Sequence, residues 1–251
     1  MKRTPSLPQA RGFSLLELLV AMAIFLTISW AIFGLLDVAQ QRYRSEQDFM
    51  DSFQNARVGV EQMVREVHDA GYPRPYTYTA TPDIILTATP DLQRRFAIPF
   101  RGTPSQACMV GLGCTVPDGF NLSLELDMDP MNPACPEQVE IVDYSLVPDP
   151  APAVTRTLMR RVQSKPPIMS PGGCMPNPAN FVPFVENVLN DPANPLDRVF
   201  TYECTGACTT PETIRTVHIR LRVRSSRPDP RTRQFRLITL NGTARRINLY
   251  P

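Results

Sequence analysis

Histidine is scarce in this chain, which has 2 histidines in 251 residues. His68 and His218 are far apart, and neither lies in a metal-binding or nucleophile motif. No glycine-rich phosphate loop follows a predicted strand either. We therefore expect no enzymatic activity and no cofactor, since a catalytic site would have to be assembled entirely by residues that folding brings together.

Proline is abundant, with 27 residues, but it is absent from positions 13–72. Charge is also missing from the first part of that stretch, because Glu17 is the single charged residue from Phe13 to Leu36. These residues would form about 36 Å of helix, which exceeds the roughly 30 Å of a bilayer core. A transmembrane helix over residues 13–36 is therefore predicted. A carboxylate inside it costs at least about 2.5 kcal/mol, so Glu17 needs a partner.

A cut between Gly12 and Phe13 would provide that partner, since the new amino group would lie four residues before Glu17 on the same helix face. The run Gly12-Phe13-Ser14-Leu15-Leu16-Glu17, after a short basic leader, resembles the signal of type IV prepilins and type II secretion pseudopilins. In that family a membrane peptidase cuts after the glycine and methylates the new N-terminus, and the glutamate guides assembly. The resemblance implies a removed leader (1–12), a processing site at Gly12 and Phe13, and an assembly role for Glu17.

An ordinary secretory signal is a weaker interpretation. Ser29-Trp30-Ala31 loosely fits a small-x-small cleavage site, but the apolar run continues past it to Leu36. A retained helix fits the pattern better.

After Asp37, apolar residues recur every three or four positions, with charged residues between them. This pattern predicts that the helix continues as an amphipathic half, residues 37–72, and packs one apolar stripe on a sheet. Glu66 is assigned to the polar face and His68 to the helix surface, and Gly71 is expected to end the helix. The stripe comprises Phe49, Phe53, Ala56, Val60, Met63, Val64 and Val67.

Residues 73–251 are predicted to form a β-rich domain, because prolines and glycines divide them into short segments of strand composition. The expected fold class is α+β, with a long N-terminal transmembrane and amphipathic helix packed on a β-rich, pilin-like globular domain. Phe184–Leu189 fits either a short strand or a helical turn. The predicted strands are Asp83–Thr87, Asn121–Asp127, Gln138–Leu146, Thr155–Val162, Arg198–Tyr202, Thr213–Arg224 and Arg233–Asn241, with Ala244–Leu249 as an optional last one.

The six cysteines all fall in this domain, and an even number fits disulfides that pin its loops in an oxidising periplasm. Closeness in sequence favours Cys108 with Cys114 and Cys204 with Cys208, which leaves Cys135 with Cys174, although other pairings are open. Zinc is the rival interpretation, but no C-x2-C spacing supports it, so we expect no metal site. The acidic segment Asp127–Asn132 likewise lacks the ligand spacing of a calcium loop.

Charge is unevenly distributed along the chain, although the formal net charge is only +2. Lys2, Arg3 and Arg11 make the leader basic, which places it in the cytoplasm and the body across the membrane. Residues 13–214 hold 13 basic and 23 acidic side chains, whereas residues 215–251 hold 10 arginines and one acid. The C-terminal part is therefore basic against an acidic remainder.

Arg220, Arg222 and Arg224 alternate along a predicted strand with apolar residues that should face inward. Such a stripe could bind an anion, for example nucleic acid or an acidic glycan or lipid surface. The interpretation we favour is a solvated strand face that meets acidic neighbours.

The middle of the chain resembles a narrower group, the PilW-type minor pilins. Asn55-Ala56-Arg57, Ala70-Gly71-Tyr72 and Phe200-Thr201-Tyr202 are similar to segments of that group. The resemblance implies a minor pilin that primes or supports type IV pilus assembly. Its partners would be other minor and major pilins, the prepilin peptidase and the inner-membrane assembly platform. It would be a single-pass inner-membrane protein with its body in the periplasm, later on the pilus or cell surface.

Two alternatives remain open. A J-type minor pseudopilin of type II secretion would share the N-terminal signal and a similar body. A pilus-tip adhesin or DNA receptor would use the arginine-rich strands near the C-terminus.

Overall fold

The computed structural model describes residues 14–72, 97, 99–101, 116–128, 139–150, 154–165 and 180–248. One helix, α1 (Leu15–Asp69), runs unbroken for 55 residues, in line with the absence of proline. Ser14 caps its first turn, and Gly71 turns the chain after its last with a φ of +83°. The Gly71 N–H donates to the carbonyl of Glu125 at 2.9 Å, so the helix ends against a strand.

Seven strands follow the helix in the described residues. A 3-10 turn, Pro211–Thr213, precedes the sixth strand. The seven strands are β1 (Asn121–Leu126), β2 (Glu140–Pro148), β3 (Arg156–Ser164), β4 (Val182–Val188), β5 (Phe200–Cys204), β6 (Ile214–Arg224) and β7 (Leu237–Arg245).

Two predicted segments change in the structure. The ambiguous Phe184–Leu189 is strand, as part of β4. The division into Arg233–Asn241 and Ala244–Leu249 is wrong, because one strand, β7, spans the junction. The carboxylate of Asp229 accepts hydrogen bonds from the N–H groups of Arg231 and Thr232, which holds this segment in a turn. Pairing of β7 with β6 therefore begins only at Leu237. The predicted strand Asp83–Thr87 lies outside the described residues.

The strands form one antiparallel sheet in the order β1-β2-β3-β4-β6-β5, and β7 pairs with β6. β6 and β7 form a long hairpin whose register runs from Thr216↔Arg245 to Arg224↔Leu237. β5 pairs with the first half of β6, and β4 meets it at Val188↔Val223. β7 pairs with residues of β6 that also pair with β4 or β5. β4 and β5 therefore lie along one edge of β6, and β7 lies along the other.

The predicted apolar stripe of α1 packs on one face of this sheet. Ala56, Val60, Met63 and Val67 are buried, while Phe49, Phe53 and Val64 are partly buried beside them. Alternate strand residues supply the other side of the core, as period-two side chains must. From the sheet the core contains Leu122, Leu124, Val142, Tyr144, Leu158, Val185, Val188, Phe200, Val217, Ile219, Leu221 and Val223.

Glycines set the closest approach of helix and sheet. A Cβ on Gly242 of β7 would lie 2.7 Å from Val60 Cγ1, and one on Gly59 of α1 would lie 2.6 Å from Val185 Cγ2. Real Cβ atoms do not approach that closely, so both backbones depend on the missing side chain. The helix is therefore held in one lateral position over β4 and β7.

The opposite face of β1 and β2 is also buried, but it carries charge. Asp143 accepts hydrogen bonds from Ser123 Oγ at 2.6 Å and Arg161 Nη2 at 2.7 Å. Glu125 accepts from Lys165 Nζ at 2.7 Å. Since each carboxylate has a cationic partner, the cost of removing it from water is offset locally.

Candidate functional site

The head of α1 carries the predicted assembly residue Glu17. Ser14 is the N-cap, and its hydroxyl oxygen accepts the Glu17 N–H at 3.3 Å. A serine followed three residues later by glutamate is the capping-box pattern, a local signal by which this helix start could have been predicted from the sequence. Glu17 thus lies in the first turn, where the helix dipole favours a negative charge. Gly12 and Phe13 lie outside the described residues, so the processing site stays a prediction.

The first half of α1 is exposed and apolar on all sides. α1 is the one helix, within the part of the chain that the structure describes, that is long and apolar enough to cross a membrane. None of the residues in its most apolar 18-residue stretch is buried by the domain. A helix that is apolar all round needs a surrounding that is also apolar, which is either lipid or the helices of other subunits.

A buried polar contact fixes the second half of α1 to the sheet. The Tyr144 hydroxyl and Arg160 Nη2 both donate to the carboxylate of Glu66, the latter at 2.6 Å. Burial and the neighbouring carboxylate raise the pKa of Tyr144, so the phenol remains a donor. The assignment of Glu66 to the polar helix face is therefore wrong, because the strand pair β2–β3 provides a tyrosine and an arginine under it. His68, expected on the surface, is half-buried.

The predicted arginine stripe lies on the sheet face away from α1. Arg222 Nη1 lies 2.7 Å from Asp197 Oδ2, and the guanidinium of Arg224 lies 4.1 Å from the ring centroid of Phe235. Arg220 is exposed and has no ion pair among the described residues. Two of the three arginines thus have internal partners. This arrangement favours the solvated strand face over an anion site.

His218 lies in the same row of side chains and is also engaged. Its Nε2 is 2.9 Å from Glu203 Oε1, and its hydrogen bond is the main cause of the lowered pKa of Glu203. The other ring nitrogen of His218, Nδ1, lies 3.2 Å from Thr243 Oγ1. Among the described residues, no group of three His, Cys, Asp or Glu side chains could hold a metal ion.

A second arginine-rich surface lies at the end of the β6–β7 hairpin nearest the apolar half of α1, in residues 225–236, here called the tip loop. Arg236 Nη2 and Nη1 donate to Glu46 Oε1 and Oε2 of α1 at 2.6 and 2.8 Å, and Nη2 also donates to Asp229. Arg227 Nε lies 3.5 Å from Asp48 Oδ2. These contacts tie the loop to the helix over a separation of 190 residues, which no local pattern signals.

The ion pairs of the tip loop shape its electrostatics. The hydrogen bond from Arg236 holds the pKa of Glu46 below its usual range. The N–H groups of Thr232 and Arg231 do the same for Asp229, with help from Arg236. An open cleft of about 530 Å³ lies between the loop and α1. Its walls include Val38, Gln41 and Arg42 from the helix and Asp229, Pro230 and Arg231 from the loop.

Of the six cysteines, the structure describes two. Cys204 and Cys208 form a disulfide at the end of β5, with sulfurs 2.01 Å apart. Cys108, Cys114, Cys135 and Cys174 lie outside the described residues, so their pairing stays a prediction.

These features define a class of protein: a long helix, apolar and exposed in its first half, whose second half is the packed helix of an α+β pilin-like domain. Residues 7–33 match the family model of the prokaryotic N-terminal methylation motif. The match spans Gly12, Phe13 and Glu17 and supports a type IV pilin or pseudopilin family. It points to a structural, membrane-anchored protein that associates with other pilins and with the prepilin peptidase. No curated protein matched the chain in comparison, and no solved structure did so either.

Proposed function

We propose that the chain is a minor pilin of the PilW type that primes or supports assembly of a type IV pilus. The observation that carries the proposal is the methylation motif at residues 7–33, at the head of a helix that runs unbroken into a folded domain. A subunit of this form can pack its apolar helix beside others while it displays the domain outside the membrane. Cleavage after Gly12 and methylation of Phe13 precede assembly.

The domain boundaries follow from the same proposal. Residues 1–12 form the cytoplasmic leader, 13–36 the membrane span, 37–72 the amphipathic half of the helix and 73–251 the periplasmic domain. The order is supported by the position of the sheet, whose core begins at Ala56 on the helix, well beyond Leu36.

Glu17 sets the axial register of the subunit by pairing with the Phe13 amine of this chain or of a neighbour. Its position in the first turn of an otherwise apolar segment supports this role. Glu17→Val should leave cleavage intact, seen as a mature mass that begins at Phe13, but abolish recovery of the subunit in sheared pili. Glu17→Asp is the matched control and should retain part of that recovery. Normal incorporation of the valine variant would refute the register role.

Deletion of the gene distinguishes the proposed minor pilin from the two alternative functions. Loss of all pili supports priming. Intact pili with blocked release of secreted proteins would instead support a J-type pseudopilin, which shares the N-terminal motif. Intact pili with lost adhesion or DNA uptake would support a tip receptor. We rank the receptor below the others, because Arg222 and Arg224 already have partners within the domain.

A further inference from the structure

Two arginines stand on α1 just beyond its apolar segment. Arg42 and Arg44 follow Leu36 by about 9 and 12 Å along the helix axis, at 1.5 Å per residue. The headgroup layer on each side of a bilayer core is about 5 to 8 Å thick. Both side chains are exposed and long enough to reach back into that layer.

The sheet brings the tip loop to the same height. β6 descends antiparallel to α1, and Arg236 meets Glu46 at its foot. The loop continues downward, since Asp229, Pro230 and Arg231 share a cleft with Val38 and Arg42. The lowest part of the domain therefore lies within a helical turn or two of the end of the apolar segment.

Four guanidinium groups at this level have no ion pair among the described residues: those of Arg42, Arg44, Arg231 and Arg233. Three of the four nearby acids are paired with arginine: Glu46 and Asp229 with Arg236, and Asp48 with Arg227. Asp37 bonds only the neutral amide of Gln41, at 2.9 Å, and keeps its charge. Residues 37–48 and 225–236 together hold six arginines against four acids, so the surface that points toward the membrane carries a net positive charge.

The backbone of the tip loop presents this charge at a small conformational cost. Arg233 has a φ of +55°, a conformation in which glycine is unstrained and arginine is not. Its N–H donates to the Asp229 carbonyl at 2.8 Å, which closes the turn. An exposed arginine thus occupies a position where backbone geometry alone would favour glycine.

We propose that this basic surface binds the phosphate groups of anionic phospholipids, with one headgroup in the cleft between Arg42 and Arg231. Arginine suits the partner, because its planar group bonds phosphate oxygens in pairs. Each basic side chain near an anionic membrane adds about a five-fold preference for it. The contact holds the domain in one orientation on the periplasmic leaflet of the inner membrane. The inference rests on the proposed membrane span of residues 13–36.

Hydrogen exchange of the full chain in lipid nanodiscs tests the proposal. One set of discs contains phosphatidylcholine, and the other contains phosphatidylcholine with one quarter phosphatidylglycerol. Exchange of peptides within the tip loop should slow at least about five-fold in the anionic discs, and added salt should reverse the effect. Equal exchange in both kinds of disc would overturn the proposal.

Two double variants separate this site from general attraction between a basic protein and an acidic membrane. Arg42→Glu with Arg231→Glu should abolish the slowing. Arg220→Glu with Arg245→Glu removes the same charge from exposed strand positions far from the membrane and should preserve it. Equal loss in both variants would refute a site in the cleft. Unchanged protection of β6 and β7 amides shows that each variant is folded.

Carbonate extraction of membranes distinguishes failure of the headgroup contact from failure of the membrane span. If the chain stays in the membrane but hydrogen exchange of its tip loop does not slow in anionic discs, the headgroup proposal alone is refuted. A chain that carbonate extracts would overturn both this inference and the membrane anchor on which it rests.

Discussion

The two halves of α1 share one helical geometry but are held in it differently. From Leu15 to Leu36 no side chain is buried by the domain, and apolar residues cover the whole circumference. From Ala56 to Val67 one face is buried against the sheet and the other carries charges. The first half therefore depends on surroundings that the described part of the domain does not supply, while the second half depends on the sheet.

This difference teaches where substitutions should act. A change on the sheet-facing side of the second half should be read out as lost stability of the domain. The same type of change in the first half should leave the domain intact and act on membrane insertion or assembly. Between the two halves, Arg236 of the tip loop bonds Glu46 of the helix, and the folded domain begins at this point along α1.

The largest expected effect breaks the buried contact of the second half. Glu66→Leu removes the acceptor of Tyr144 and Arg160, whose side chains are largely buried. Loss of one partner of a buried pair typically costs 3 to 5 kcal/mol, so we expect a loss of about 3 kcal/mol. The midpoint of urea unfolding of the full chain in detergent measures it.

Glu61→Leu is the matched control, on the exposed face of the same helix. Glu61 pairs with Arg57 at 2.8 Å, but both side chains are more than half exposed. Exposed pairs contribute less than about 1 kcal/mol, so this midpoint should barely move. Equal losses for the two variants would show that the Glu66 contact does not hold the helix to the sheet.

A smaller effect compares two glycines. Gly242→Ala places a Cβ 2.7 Å from Val60 Cγ1 and 3.0 Å from Val64 Cγ2, and overpacking of this kind costs about 1 to 3 kcal/mol. Gly34→Ala meets nothing within 4 Å in the first half and should stabilise the helix by about 1 kcal/mol. Unfolding of the domain followed by near-UV circular dichroism should shift for Gly242→Ala only. A shift of similar size for Gly34→Ala would mean that the halves are coupled.

The smallest expected effect concerns the ion pairs of Arg236 in the tip loop, whose contribution to stability should depend on pH. The pKa values of Glu46 and Asp229 are lowered from 4.5 and 3.8 by their bonds in the folded state. A lowered folded pKa contributes stability above the unfolded pKa and loses it as pH falls through the folded one. The difference in Tm between the native chain and Arg236→Gln should therefore be full at neutral pH and begin to shrink as pH falls to the unfolded values of 4.5 and 3.8. It should vanish only once pH lies below the lowered folded pKa values.

Arg220→Gln serves as the control for this titration, because Arg220 has no ion pair among the described residues. Its Tm difference from the native chain should be small at every pH. A Tm difference for Arg236→Gln that persists into strong acid would assign the effect to packing on Phe49 instead.

Much of the fold could be predicted from local pattern. The absence of proline and the three-to-four residue spacing predicted α1 and its buried stripe, and the alternation from Val217 to Arg224 predicted β6. Strand ends were harder, because β7 begins only after a turn that the Asp229 carboxylate organises. The burial of Glu66 was missed, since its partners lie 78 and 94 residues away.

The candidate sites divide in the same way. The motif around Gly12, Phe13 and Glu17 is contiguous, so its residues could be identified without a fold, and the family match at residues 7–33 overlaps it. The arginines of the tip loop could be counted but not located. Only the descent of β6 along α1 brings Arg231 to the level of Arg42.

The order of amino acids alone was therefore sufficient for features that rest on neighbours within a few turns: the apolar helix, the motif matched at residues 7–33, and the inward side of β6. The folded chain decided which charges are buried, which arginines keep their charge free, and where the domain lies relative to the helix. The physical reason is distance. Helix and strand periodicity are set within a handful of residues, whereas an ion pair such as Arg236 with Glu46 exists only when packing brings together groups 190 residues apart.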